Sequence, residues 1–86
     1  MRPGRRPLSD EDRERGKRLS RLLRQERDRK KKSAEELARA SGVSLEAIRK
    51  LDRFETAHPG FFTIADLARA LDLDLAAIDR RLRSRR

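Results

Sequence analysis

The sequence predicts an all-α fold in which five helices form one compact bundle. Apolar residues recur at helical spacing along most of the chain. No stretch alternates apolar and polar residues with the period of a strand, and valine and threonine are nearly absent. The chain has 86 residues and no cysteine, so we expect one small domain without disulfide bonds.

The apolar residues must be concentrated if they are to build a core, because 45% of the chain is charged and only 35% is hydrophobic. Either Phe61 or Phe62 is expected to anchor the core and close the bundle. The other predicted core residues are Leu19, Leu22, Leu23, Leu37, Ala38, Val43, Ile48, Leu51, Ile64, Leu67, Leu71, Leu75 and Ile78.

Helix 1 is predicted to span residues 10–28. Ser9, with Asp12 three positions later, resembles a capping box, and the acidic residues Asp10 and Glu11 suit the positive N-terminal end of a helix. The basic connection at 29–32 suits the opposite end.

We expect residues 9–82 to form the folded domain, with a flexible basic arm at 1–8 and a basic tail at 83–86.

Helix 2 is predicted at 34–41 and helix 3 at 45–54. Ser33 and Glu36 form a second capping box, and Ser44 occupies the N-cap position of helix 3. Between the helices, Gly42 can adopt the left-handed conformation that ends a helix. Two short capped helices around a glycine are typical of a helix-turn-helix, which makes DNA the first partner to consider.

A turn is predicted at His58-Pro59-Gly60, before helix 4. Helix 4 is predicted at 63–71, with Thr63 and Asp66 as its capping box, unless it already begins at residue 60. Helix 5 is predicted to start at residue 74, and its apolar stripe is Leu75, Ile78 and Leu82.

Several stretches match the pattern of a known family: Glu36-Leu37-Ala38, Gly42-Val43-Ser44, Ile48 with Leu51-Asp52-Arg53, and Leu67-Ala68-Arg69-Ala70-Leu71 followed by Leu73-Asp74-Leu75. From about residue 16 to residue 82 the sequence resembles the Cro/C1-type (Xre-like) repressor family. A basic arm before a long charged first helix makes its layout most similar to the lambda repressor N-terminal domain. The resemblance implies sequence-specific binding of double-stranded DNA by a small transcriptional repressor or regulator.

The resemblance also implies which residues contact DNA. Helix 3 would lie in the major groove, with its N-cap and first residues at the base edges, and the start of helix 2 would lie near the backbone. Outside the arm, the candidate DNA-binding residues are Lys32, Ser33, Ser44, Leu45, Glu46, Arg49, Lys50 and Arg53.

Two of these candidates depart from the family pattern. Leu45 can contact only a thymine methyl, and Glu46 can accept a hydrogen bond from cytosine but repels phosphate. Lys50, Arg49 and Arg53 are therefore better candidates for guanine or backbone contacts. The departures leave two alternatives open: a protein-interaction module on the same fold, or a weakly specific architectural DNA binder.

Positive charge is concentrated at the two ends of the chain. Residues 1–32 hold 14 basic and 6 acidic side chains, residues 33–79 hold 5 and 9, and residues 80–86 hold 5 and none. Attraction to phosphate should come mainly from these flanks. In the arm, Arg2, Arg5 and Arg6 stand among prolines and a glycine, a pattern that suits a groove of DNA without deciding which groove.

We expect no catalytic site, no metal and no other cofactor, because the acids are dispersed and the single histidine, His58, has no second ligand nearby. No apolar run approaches the ~18 residues that a membrane span requires, so a cytoplasmic protein of a bacterial or phage nucleoid is expected. The resemblance implies a homodimer as a candidate assembly. Its candidate contact is Leu73, Ala76 and Leu82, unless the same leucines complete the core.

Overall fold

A computed structural model of the protein describes residues 9–55 and 59–83. These residues form five α-helices: α1 at Asp10–Arg29, α2 at Ala34–Ser41, α3 at Leu45–Asp52, α4 at Phe61–Ala70 and α5 at Leu75–Arg83. The described ranges contain no strand. The predicted all-α bundle, with its helix-turn-helix at α2 and α3, is confirmed.

Serine residues are the N-caps of the first three helices, as the sequence predicts. The Ser9 hydroxyl accepts from the Asp12 N–H at 3.0 Å, and the Ser44 hydroxyl accepts from the Ala47 N–H at 3.1 Å. At α2 the capping box is complete, because Glu36 also accepts from the Ser33 N–H, at 2.8 Å. These bonds satisfy backbone donors that a helix start would otherwise leave unpaired.

Left-handed residues follow the C-terminal ends of α1 to α4. Gly42, with φ of 79°, ends α2 as predicted, and its N–H donates to the Ala38 carbonyl. The other helices use non-glycine residues in this conformation: Lys31 after α1, Phe54 after α3 and Asp72 after α4. The prediction that helix 3 continues to Phe54 was therefore wrong, since a left-handed residue cannot extend a right-handed helix.

Helix α4 begins two residues before Thr63, with Gly60 as its N-cap. The Thr63 capping box is therefore wrong, and the alternative start at Gly60 is correct. Phe61 and Phe62 form an edge-to-face pair whose ring centroids are 5.5 Å apart, and they are 65% and 79% exposed. Neither phenylalanine anchors the core, because both stand in the first turn of α4, outside the packed part of the bundle.

The core lies between the five helices and consists of leucine, isoleucine and alanine side chains. Helix α1 packs on α3 and α5, while α2 packs on α3 and α4. Leu75 is exposed, contrary to prediction, because it is the first residue of α5. The buried apolar residues are Leu19, Leu22, Leu23, Leu37, Ile48, Leu51, Leu67, Ala68, Leu71 and Ile78.

Polar contacts fix α1 against the helices around it. Arg27 on α1 pairs with Asp52, the last residue of α3, at 2.9 Å, and both side chains are mostly buried. Glu26, also mostly buried, pairs with Arg81 of α5 at 3.4 Å, and the Lys30 ammonium donates to the carbonyl of Leu71 after α4. The Arg27 pair holds the C-terminal end of α3 in place and so helps to position the exposed side of this helix.

No helix within the described ranges combines the length and the apolar character that a membrane crossing requires.

Candidate nucleic-acid interface

Helix α3 buries one side and exposes the other. Ile48 and Leu51 point into the core, whereas Glu46, Arg49 and Lys50 are exposed. This division follows from helical geometry, because residues three apart share a side and the intervening residues face solvent. The exposed side of α3 can therefore approach a partner.

The serines at the starts of α2 and α3 act as N-caps. The exposed Ser44 and Ser33 each accept a hydrogen bond from a backbone N–H of their own helix. Their hydroxyl protons remain available as donors to a phosphate or base acceptor. Lys32, beside Ser33, and Leu45, the first residue of α3, are both half-buried.

Arg49 is held by an acidic residue of the preceding helix. Its guanidinium Nη2 lies 3.1 Å from a carboxylate oxygen of Glu35 on α2, and both side chains are about half exposed. The pair bridges the two helices of the helix-turn-helix. Arg49 therefore already faces a carboxylate of α2.

Arg53 is held more firmly, at the end of α3. Its Nε lies 2.9 Å from one oxygen of Glu55 and its Nη2 lies 3.2 Å from the other, so the pair is bidentate. The Arg53 hydrogen bonds lower the pKa of the Glu55 carboxyl, and the same bonds raise the pKa of Arg53. Both groups are thus charged at neutral pH.

Lys50 differs from the two arginines, because it makes no ion pair with any residue in the described part of the chain. It lines an open groove between α3 and the start of α4. The other residues that line this groove are Ser44, Glu46, Ala47, Leu51, Pro59, Gly60 and Thr63. Lys50 thus offers an ammonium group on the exposed side of α3.

Of the predicted residues, Ser44, Glu46 and Lys50 line one groove beside α3, and Arg49 and Arg53 are exposed. The arm residues Arg2, Arg5 and Arg6 lie outside the described residues. So does His58. Of the residues predicted as a dimer contact, Leu73 before α5 and Leu82 on α5 are half-buried and pack against the core, whereas Ala76 is exposed.

Glu35 and Glu55 are the two residues that sequence reasoning missed. Glu35 stands 14 positions before Arg49, so their contact depends on how α2 and α3 pack. Glu55 is close in sequence to Arg53, but the left-handed Phe54 between them brings the side chains together. Neither contact has a signal in the sequence, because each depends on the path of the backbone between the two residues.

Residues 23–78, which are 56 of the 86 residues, match the model of a helix-turn-helix family, the Cro/C1 type. The chain belongs to this family. The match begins inside α1 and includes α2, α3, α4 and the buried part of α5. No curated protein matches the chain. As a member of the Cro/C1-type family, the protein is a DNA-binding helix-turn-helix regulator.

Proposed function

We propose that the protein is a small transcriptional repressor that binds double-stranded DNA in a sequence-specific manner, with α3 in the major groove. The observation that supports this most directly is the exposed side of α3, which carries Lys50 and two arginines while Ile48 and Leu51 hold the helix on the bundle. A helix presented in this way fits the width of the major groove of B-DNA. The proposal needs no catalytic step and no cofactor.

Each candidate residue has a role in this proposal. Lys50 donates to guanine, Glu46 accepts from cytosine, and Leu45 contacts a thymine methyl. Backbone contacts come from Arg49, Arg53, Lys32 and Ser33, with Ser44 at the groove edge, and the arm residues Arg2, Arg5 and Arg6 extend the contact around the duplex. A homodimer in the cytoplasm, on a two-fold symmetric site, is the assembly expected for such a repressor.

Selection of bound sequences from a random duplex pool, followed by one substitution, tests the proposal. A two-fold symmetric motif is expected to emerge. Lys50→Ala should then weaken binding to the selected site by about 5- to 100-fold, because the substitution removes one good base contact. Binding to random duplex should weaken much less, since phosphate contacts are mostly retained.

Lys17→Ala is the matched control, because it removes the same charge from α1, where Lys17 pairs with Glu14. It should lower the affinity for both duplexes slightly and equally. If Lys50→Ala and Lys17→Ala have the same effect on the selected site, sequence reading by Lys50 is refuted. An enrichment for A/T without a motif would indicate an architectural binder instead.

The second candidate function is a protein-interaction module on the same fold. The observation that favours it is the exposed edge-to-face pair of Phe61 and Phe62 next to the α3 groove. Exposed aromatic side chains are enriched at protein interfaces. A mobility assay at low salt separates the two functions, since no shift across many duplex sequences would favour the interaction module.

A further inference from the structure

The two arginines at the α3 face are both paired with carboxylates, and Lys50 forms no such pair within residues 9–55 and 59–83. Arg49 pairs with Glu35 across the helix-turn-helix, and Arg53 pairs with Glu55 through two hydrogen bonds. We propose that Glu35 and Glu55 limit the affinity for DNA, because each carboxylate holds an arginine that is released to a phosphate only when α3 is in register with its site. The inference rests on the proposed function.

A carboxylate and a phosphate compete for the same guanidinium donors. Both present oxygen acceptors to the fork of N–H groups, and only one of them can occupy a given donor. An exposed ion pair is weak, so a well-placed phosphate can displace the carboxylate. On random duplex, α3 is not in register with a site and the phosphate is less well placed. Its interaction with the arginine is then weaker, and it does not displace the carboxylate.

The geometry makes this competition strongest at Arg53. Because its Nε and Nη2 both donate to Glu55, a phosphate that binds in the same bidentate manner must replace both bonds. At Arg49 a single bond to Glu35 must be replaced. Lys50 makes no ion pair in the described part of the chain, although it interacts electrostatically with Glu55, so the residue proposed to read bases has no hydrogen bond to a carboxylate to break, whereas the two arginines do.

Three variants of the whole chain test this inference. Glu35→Gln and Glu55→Gln each remove one carboxylate charge beside α3. Asp79→Asn removes one charge from α5, where Asp79 pairs with Arg83 at 3.1 Å, so it is a control with the same change in net charge. Circular dichroism should show the same helix content in the wild type and the three variants, because these carboxylates are exposed and cap no helix.

Affinity is then measured across salt concentrations, for the selected site and for random duplex. Relative to Asp79→Asn, each glutamate variant should bind random duplex about two- to five-fold more tightly, the range that an exposed ion pair corresponds to. On random duplex, the slope of log affinity against log salt should steepen by up to about 0.9 as one more phosphate contact forms. The affinity for the selected site should rise at least as much, because in that complex the wild type must break the ion pair. Its salt slope should stay the same, because the arginines already contact phosphate there.

A double variant separates arginine release from simple loss of repulsion. If Glu55 acts through Arg53, the gain from Glu55→Gln should disappear in an Arg53→Gln background. A gain that persists without Arg53, or glutamate variants that match Asp79→Asn, would overturn the inference while sequence-specific binding stands. If the wild type binds no duplex at low salt, the proposed function fails and this inference fails with it.

Discussion

Ser20 and Ser41 are both buried, and they differ in whether the hydroxyl has a partner in the described residues. Ser20 on α1 is 2% exposed, and its Oγ makes no hydrogen bond there. Ser41, at the end of α2, is 9% exposed, and its Oγ accepts from the N–H of Val43 at 3.1 Å. Burial of an unpaired hydroxyl costs stability, whereas a paired one compensates for its lost water.

The two serines therefore predict opposite effects of the same substitution. Ser20→Ala should raise the free energy of unfolding by about 1 kcal/mol, because it removes an unpaired polar atom without leaving a large cavity. Ser41→Ala should lower it by about 1 kcal/mol, because the Val43 N–H loses its acceptor. Urea denaturation of the three proteins measures both changes. A loss of stability in Ser20→Ala would mean that its hydroxyl is in fact paired.

At the scale of the element, three helices end in the same way without glycine. After α4, the N–H of Asp72 donates to the Arg69 carbonyl at 3.1 Å and the N–H of Leu73 donates to the Ala68 carbonyl at 2.8 Å. This is a Schellman motif, and α1 and α3 end with the same pair of bonds. The left-handed residue in such a motif is usually glycine, because other residues bring Cβ close to a backbone carbonyl.

Replacement of a left-handed residue by glycine should thus stabilise the protein. Asp72, with φ of 59°, is exposed and makes no side-chain hydrogen bond among the described residues. Asp72→Gly should raise the free energy of unfolding by about 1 kcal/mol through relief of this strain. Asp72→Val should lower it, since a β-branched residue tolerates the conformation least. Thermal unfolding of both variants checks the prediction, and a lower midpoint for Asp72→Gly would contradict it.

The same helix ends explain which elements could be predicted from sequence. The starts of α2 and α3 depend on local serine caps, and Gly42 has a local conformational reason, so all three were predictable. The end of α3 was not, because Phe54 carries no sequence signal for a left-handed conformation. Its consequence, the Arg53–Glu55 pair, was missed for the same reason.

Apolar periodicity failed at the first residues of helices. Spacing predicts that Ile64, Leu75 and Ile78 are buried, together with either Phe61 or Phe62. Ile78 is buried and Ile64 packs against the core, but Phe61 and Leu75 are exposed. The spacing of apolar residues shows which side of a helix a residue lies on. It does not show how far along that side the neighbouring helices reach, and the packed structure is needed for that.

At the scale of the whole molecule, carboxylates with lowered pKa values make the stability of the fold depend on pH. The hydrogen bond from Arg29, together with the interaction with Arg81 of α5, lowers the pKa of Glu26 below its usual 4.5. The hydrogen bond from the Ser33 N–H lowers the pKa of Glu36 in the capping box. In the unfolded chain these partners are lost, and both carboxyls return to their usual range.

A lowered pKa in the folded state means that the unfolded chain takes up protons first as the pH falls. The contribution of Glu26 and Glu36 to stability is therefore fully present well above pH 4.5 and is lost as the pH falls through their lowered values. The midpoint of thermal unfolding should decrease below about pH 4.5. Glu26→Gln should be less stable at pH 7 and should lose less on acidification. An equal loss in both proteins would exclude Glu26 as a source of this pH dependence.

The distribution of charge over the whole chain predicts that its two ends supply most of the attraction to DNA and that the helical bundle does not. Residues 33–79, which contain α2 and α3, hold more acidic than basic side chains, so a net attraction to DNA must come from the ends. Replacement of Arg2, Arg5 and Arg6 by alanine should weaken binding to every duplex. It should also flatten the salt slope by up to about 2.7, at about 0.9 for each phosphate that the arm no longer neutralises.

The preference for the selected site over random duplex should survive these arm substitutions, because phosphate contacts position the protein and base contacts specify the sequence. Titration of both duplexes at several salt concentrations measures affinity and preference together. If the preference falls while the affinity for random duplex is unchanged, the arm reads sequence or shape in a groove, and α3 is not the main source of discrimination. If all affinities fall in parallel, discrimination belongs to α3, where Lys50 is the first residue to test.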